Sequence, residues 1–151
     1  MIREELKKQL VEAMKAKDDK KTATIRLINA AIKQKDIEVR PSGKDAIDDA
    51  AVLSLMQSMI KQRKESIDMY KKGGREDLAA AEQAEIDIIQ AFLPQQMSED
   101  EVRSAINDII AQTGAASIKD MGKVMGALRA KYAGQMDFGM ASNLIKEALA
   151  G

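Results

Sequence analysis

With 151 residues, 45% of them hydrophobic, the chain can bury one core or two small ones and is too apolar to be disordered. Its 24 basic and 24 acidic residues cancel, so any attraction to nucleic acid or an anionic membrane must come from uneven placement of charge. Cysteine and histidine are absent, which excludes disulfides, thiolate nucleophiles and cysteine metal sites and removes the commonest general base.

No segment alternates apolar and polar residues for long, whereas periods near 3.6 recur from end to end, so the predicted fold class is all-α. A first helix is expected over residues 2–17, and Asp18 or Asp19 can cap a second that runs to Lys35. Pro41 and Gly43 then break the chain in RPSGK. A third helix is expected over residues 46–72, ending at Gly73 and Gly74 behind two lysines that suit the helix dipole. A fourth covers residues 76–92. Pro94 disfavours helix at Leu93, and Ser98 with Glu101 forms a capping box, so LPQQMSEDE is the expected boundary. A fifth helix follows over residues 99–112, ended by Gly114, then a sixth over 118–131 behind Ser117 and Asp120, and a seventh over 138–149 behind Asp137. The expected architecture has two parts, with about four helices in an N-terminal bundle at residues 1–94 and three shorter ones at residues 95–151.

Charge is unevenly spread over these elements. Residues 1–44 carry 12 basic and 7 acidic side chains, and residues 78–101 carry six acids and no base. No run approaches the length of a membrane span, so a soluble, cytoplasmic protein with no membrane partner is expected. Ten methionines raise a copper(I) thioether site, but at core spacing methionine serves as gap filler, and no metal or other cofactor is expected.

Some polar residues interrupt the apolar pattern. On the third helix Val52, Met56, Met59, Ile67 and Tyr70 share one stripe with Arg63 in its middle, and on the fourth Leu78, Ile89 and Phe92 share one with Glu85, Glu82 lying at its margin. A short turn makes these helices antiparallel neighbours, so Arg63 and Glu85 are expected to form a structural ion pair; an arginine clamp for a substrate carboxylate is the other reading. On the second helix Arg26, Asn29 and Lys33 lie beside Ile25, Ile28 and Ile32, either as a solvated flank or as a polar patch for phosphate. On the sixth, DMGKVMG spends two positions, Gly122 and Gly126, on the residue that weakens a helix by roughly 1 kcal/mol each. They form a strip beside the apolar stripe, flanked by Lys119, Lys123 and Arg129, which would let either the seventh helix or a nucleic-acid backbone approach closely.

The stretches KQRKESI (61–67), GREDL (74–78), FLPQQMSEDE (92–101) and DMGKVMG followed by Met136 and Asp137 resemble the YqeY family of the GatB/YqeY group, over essentially the whole chain. Phe138 stands where that pattern has a glycine. From residue 95 onward the chain also resembles the tail domain of GatB, a subunit of the tRNA-dependent amidotransferase. The resemblance implies an all-helical fold in two parts, contact with tRNA, and association with an amidotransferase or an aminoacyl-tRNA synthetase. The group is commonly labelled as carbon–nitrogen ligases with glutamine as amido-N-donor, but no catalytic residue transfers. A self-sufficient amidotransferase would need an activated nucleophile and phosphate or metal ligands, and the sequence offers no Cys, His or P-loop for them. The expected function is a tRNA-binding or amidotransferase-associated accessory; the alternative is a protein-interaction bundle that assists the tRNA-charging machinery.

Overall fold

The computed structural model describes residues 2–150. It is all-α, with helices α1 (Ile2–Lys15), α2 (Asp19–Val39), α3 (Asp49–Lys72), α4 (Glu76–Gln90), α5 (Glu99–Thr113), α6 (Met121–Lys131) and α7 (Phe138–Ala150), and no strand among the described residues. Short 3-10 turns at Arg40–Ser42 and Ile118–Asp120 follow α2 and precede α6. The helices gather into two compact units, Met1–Leu93 and Pro94–Gly151.

Local chemistry sets most helix ends. Asp18 accepts from the Lys21 N–H at 3.1 Å and Asp48 from the Ala51 N–H at 2.9 Å, each satisfying a donor that the first turn leaves free. Ser98 and Glu101 bond reciprocally to each other's backbone N–H, opening α5. The α1–α2 and α3–α4 turns share one geometry. After α3 the Gly74 N–H donates to the Lys71 carbonyl and the Arg75 N–H to the Tyr70 carbonyl, with Gly74 left-handed at φ +72°. After α1 the Lys17 N–H donates to Met14 and the Asp18 N–H to Ala13, and here a lysine holds φ +57°. A side chain in that region clashes with the following carbonyl, so Lys17 carries strain that Gly74 does not.

In the first unit Leu6, Ile25, Ile28, Ile32, Val52, Met56 and Ile89 are among the buried residues of a core to which α1, α2, α3 and α4 all contribute. The two methionines buried in that core, Met56 and Met59, pack as hydrocarbon. Arg3 ties the helices together at one side: its guanidinium grips both oxygens of Asp36 at 2.8 and 3.0 Å and donates to the Ile47 carbonyl at 3.0 Å. Asp36 also accepts from the Ile47 N–H at 2.9 Å, so one carboxylate joins α1, α2 and the segment before α3. The Arg3 guanidinium, and then the Ile47 N–H, hold the Asp36 carboxyl below its usual range. The second unit buries Val102, Ile106, Ile109, Val124, Leu128, Met136, Leu144 and Ile145, with further residues, in a core of its own. Ahead of α5, Gln96 donates to the Gly134 carbonyl at 2.6 Å and the Met97 N–H to the Gln135 carbonyl at 2.8 Å, which fixes that segment to the α6–α7 turn.

Candidate nucleic-acid interface

The outward face of α6 follows from which of its residues the second core takes. Val124 and Leu128 are fully buried, and a turn of 100° per residue puts Gly122 and Gly126 on the opposite side, exposed. The expectation of a strip beside the apolar stripe is therefore corrected: the glycines lie across the helix from it. A Cβ added at either position meets nothing within 4 Å. Close approach by α7 does not explain them, because no neighbouring atom in the unit would be displaced by an alanine.

Lys119, Lys123 and Arg129 are all exposed around this strip. They are not equivalent. The Lys123 ammonium donates to the Thr113 carbonyl at 3.1 Å, neutralising one of the free carbonyls that end α5. The Arg129 guanidinium lies 5.6 Å from the centre of the Phe138 ring, a cation–π contact. Lys119 makes no hydrogen bond or ion pair to any described residue. Just ahead of α6, the Ala116 and Ser117 N–H groups donate to the Asp120 carboxylate at 2.9 and 3.4 Å, and these bonds, with Lys123 adding a smaller attraction, hold its pKa below the usual range. Asp120 thus stays ionised at neutral pH and shapes the turn that leads into the glycine strip.

The other residues singled out in the sequence divide by role. Arg63 donates through Nε to Glu85 at 2.8 Å and through Nη1 to the Met59 carbonyl at 3.1 Å, so its guanidinium is committed within the first unit. On α2, Arg26 and Lys33 are exposed and Asn29 is half-buried, none with a hydrogen-bond partner among the described residues. Two arrangements were not expected from the sequence. One is the Arg3–Asp36 clamp, whose signal is the four-residue step from Ile32 that puts Asp36 on the buried side of α2. The other is a shallow groove of about 250 Å³ between α5 and α7, floored by Ile106, Leu144 and Ala148 and rimmed by Asn107, Arg103 and Glu147, the last two 3.3 Å apart. Arg103 also pairs with Glu99 at 2.9 Å, so the one cation of the rim is shared between two carboxylates. No cluster of His, Cys, Asp or Glu fit to hold a metal ion occurs among the described residues, and no described helix is long and apolar enough to cross a membrane.

Comparison with known proteins supplies the family. The model of the Yqey-like protein family matches residues 3–149. The protein named "Altered inheritance of mitochondria protein 41, mitochondrial" is similar in several yeasts: 37% identical over 123 residues in Vanderwaltozyma polyspora, covering 77% of this chain and 64% of that protein. The Eremothecium gossypii protein of that name is 43% identical over 88 residues, 58% of this chain and 46% of its own length. The Saccharomyces cerevisiae one is 41% identical over 90 residues, with coverages of 60% and 47%. This chain therefore spans less than two thirds of the length of each. Their names overturn the expectation of a cytoplasmic protein, since close relatives are mitochondrial. The physical reason is that the lack of an apolar span excludes a membrane helix and selects no aqueous compartment. The helical architecture and the match over nearly its whole length make this chain a member of the Yqey-like protein family.

Proposed function

We propose that this protein is a tRNA-binding accessory of the tRNA-charging machinery, and that the outward face of α6 receives the backbone of a folded RNA. The reading rests on one observation above others. Two glycines interrupt the exposed face of a helix where a Cβ at either would meet nothing, so nothing inside the unit calls for them. A surface bare of side chains and flanked by Lys119, Lys123 and Arg129 suits phosphate oxygens that approach the helix backbone. Stacking on bases is not part of the reading, because the chain has only four aromatic residues and Phe138 is already covered by Arg129. Resemblance of the second unit to the tail of an amidotransferase subunit makes tRNA the RNA of choice and an amidotransferase or aminoacyl-tRNA synthetase the associated enzyme. Carbon–nitrogen ligase activity would then belong to that enzyme and not to this chain, which has neither cysteine nor histidine.

The test is tRNA affinity at several salt concentrations for the wild type and for Lys119→Glu with Arg129→Glu. Lys123 is left in place because it caps α5. The double reversal should weaken binding and flatten its salt dependence by roughly two released counterions, while the second unit stays folded and loses only the Arg129–Phe138 contact and a favourable helix-end charge, about 1 kcal/mol in all. Equal affinities and equal salt slopes would remove α6 from the site. Failure of the wild type to bind any tRNA would leave the protein-interaction reading in its place.

A further inference from the structure

α2 is apolar on two sides. Ile25, Ile28 and Ile32 face the first core, while Ala23, Leu27, Ala30, Gln34 and Ile37, spaced four, three, four and three residues apart, are all exposed. That spacing is the heptad seam of one helix laid along another. Leu27 is 48% exposed and Ile37 43%, two of the five large apolar side chains exposed among the described residues of the first unit; Val11 and Met14 on α1 and Met69 on α3 are the others, and only Leu27 and Ile37 lie on this seam. One flank of the seam repeats every seven residues as Arg26, Lys33 and Arg40, all exposed, and Arg26 and Lys33 have no partner among the described residues. The other flank is Thr24, Ala31 and Glu38, and its one acid is paired with Lys35 at 3.1 Å. The seam is therefore apolar in the middle and basic along one edge.

We propose that this face of α2 docks an amphipathic helix of a partner protein, with the partner's apolar stripe on Leu27 and Ile37 and a row of its carboxylates on Arg26 and Lys33. The inference does not rest on the RNA reading and concerns the other unit. Ala23 and Ala30 let a second helix axis come close, and Gln34 in the middle of the seam favours one register. A nucleic-acid backbone would use the cations and leave Leu27 and Ile37 in water. A lipid surface would gain little from a face whose other members are two alanines and a glutamine. A second copy laid antiparallel would set basic edge against basic edge. The seam from Ala23 to Ile37 is about 21 Å long at 1.5 Å per residue, two heptads, which makes for a small and reversible interface.

The experiment uses the full chain and a labelled synthetic helix of three heptads, with leucines on its seam and glutamates on its flanks, beside an otherwise identical peptide with lysine flanks. The glutamate peptide should bind at micromolar concentration and the lysine peptide at least about tenfold more weakly. Leu27→Glu with Ile37→Glu should abolish binding of both, and Arg26→Glu with Lys33→Glu should reverse the preference between them. Melting should be unchanged in both variants, since all four side chains are exposed. No binding of the glutamate peptide, or equal binding of the two peptides, would overturn the proposal. So would a dimer in sedimentation that Leu27→Glu dissociates, which would assign the face to a second copy. Adsorption to phosphatidylglycerol vesicles, or binding of an RNA hairpin, that the Leu27 and Ile37 changes remove would also overturn it.

Discussion

Removing Glu85 is a direct perturbation of the α3–α4 seam. The Arg63 side chain is 15% exposed and that of Glu85 27%, which sets the pair between two regimes. Exposed ion pairs contribute about 0–1 kcal/mol, whereas removing one partner of a fully buried pair destabilises by about 3–5 kcal/mol. Glu85→Ala leaves the Arg63 Nε unmatched while Nη1 keeps the Met59 carbonyl, so a loss of about 2 kcal/mol is expected. Arg63→Ala should lose a similar amount, partly through the apolar stem of the arginine. Arg63→Leu with Glu85→Leu should recover most of it, because neither charge is then left alone. In the alanine double-mutant cycle the coupling should be about 1–2 kcal/mol. The two units have separate cores, so the assay follows the transition of the first; for a unit of this size about 2 kcal/mol lowers its midpoint by roughly 8–16 °C. Arg75→Ala is the control, since that side chain belongs to the same unit, is 59% exposed in its pair with Asp77, and its loss should leave the melting curve in place. Additive losses in the cycle, or a Glu85→Ala shift no larger than that of the control, would refute the argument.

Other consequences follow from the turns and the clamp. Lys17→Gly should stabilise the protein by about 1 kcal/mol, because glycine occupies the φ +57° conformation without the lysine's clash, while Gly74→Ala at φ +72° should destabilise by a similar amount; denaturant midpoints of both decide, and a destabilised Lys17→Gly would contradict the account. The stability difference between wild type and Asp36→Asn should be greatest at neutral pH. Asp36 binds its proton at lower pH in the folded state than in the unfolded one, so its contribution is present above the usual aspartate range near about pH 4 and is lost as pH falls through the folded-state value. A difference that grew on acidification would be the wrong sign.

Features written in neighbouring residues were legible in the sequence. Asp18, the Ser98–Glu101 box, Gly74 and Gly114 mark helix ends through bonds that span only a few positions, and each does so in the structure. Helix α2 reaches Val39, four residues beyond the expected Lys35, because Pro41 sits far enough on to leave that stretch free and Asp36 is held by a residue 33 positions earlier. Helix α3 begins at Asp49 and not at Ala46, since Asp48 is extended, with ψ 174°, and its side chain caps the Ala51 N–H. The two glycines were legible as an anomaly, but which side of α6 they occupy was not. That depends on how α5 and α7 divide the second core, and no local spacing states it. Lys17 carries no signal of its own, because a left-handed lysine has the same side chain as any other.

Whether the glycines of α6 serve something outside the molecule is decided by the tRNA affinity of Gly122→Leu with Gly126→Leu, read beside the melting of the second unit. Both leucines project into open space. At Gly126, in mid-helix, the change should stabilise α6 by roughly 1 kcal/mol, and at Gly122, in the first turn, by less. The second unit of the variant should melt no lower than that of the wild type and bind tRNA at least about tenfold more weakly, since the leucines hold the RNA backbone off the helix. An unchanged affinity, or a variant whose second unit loses its fold, would contradict the RNA reading.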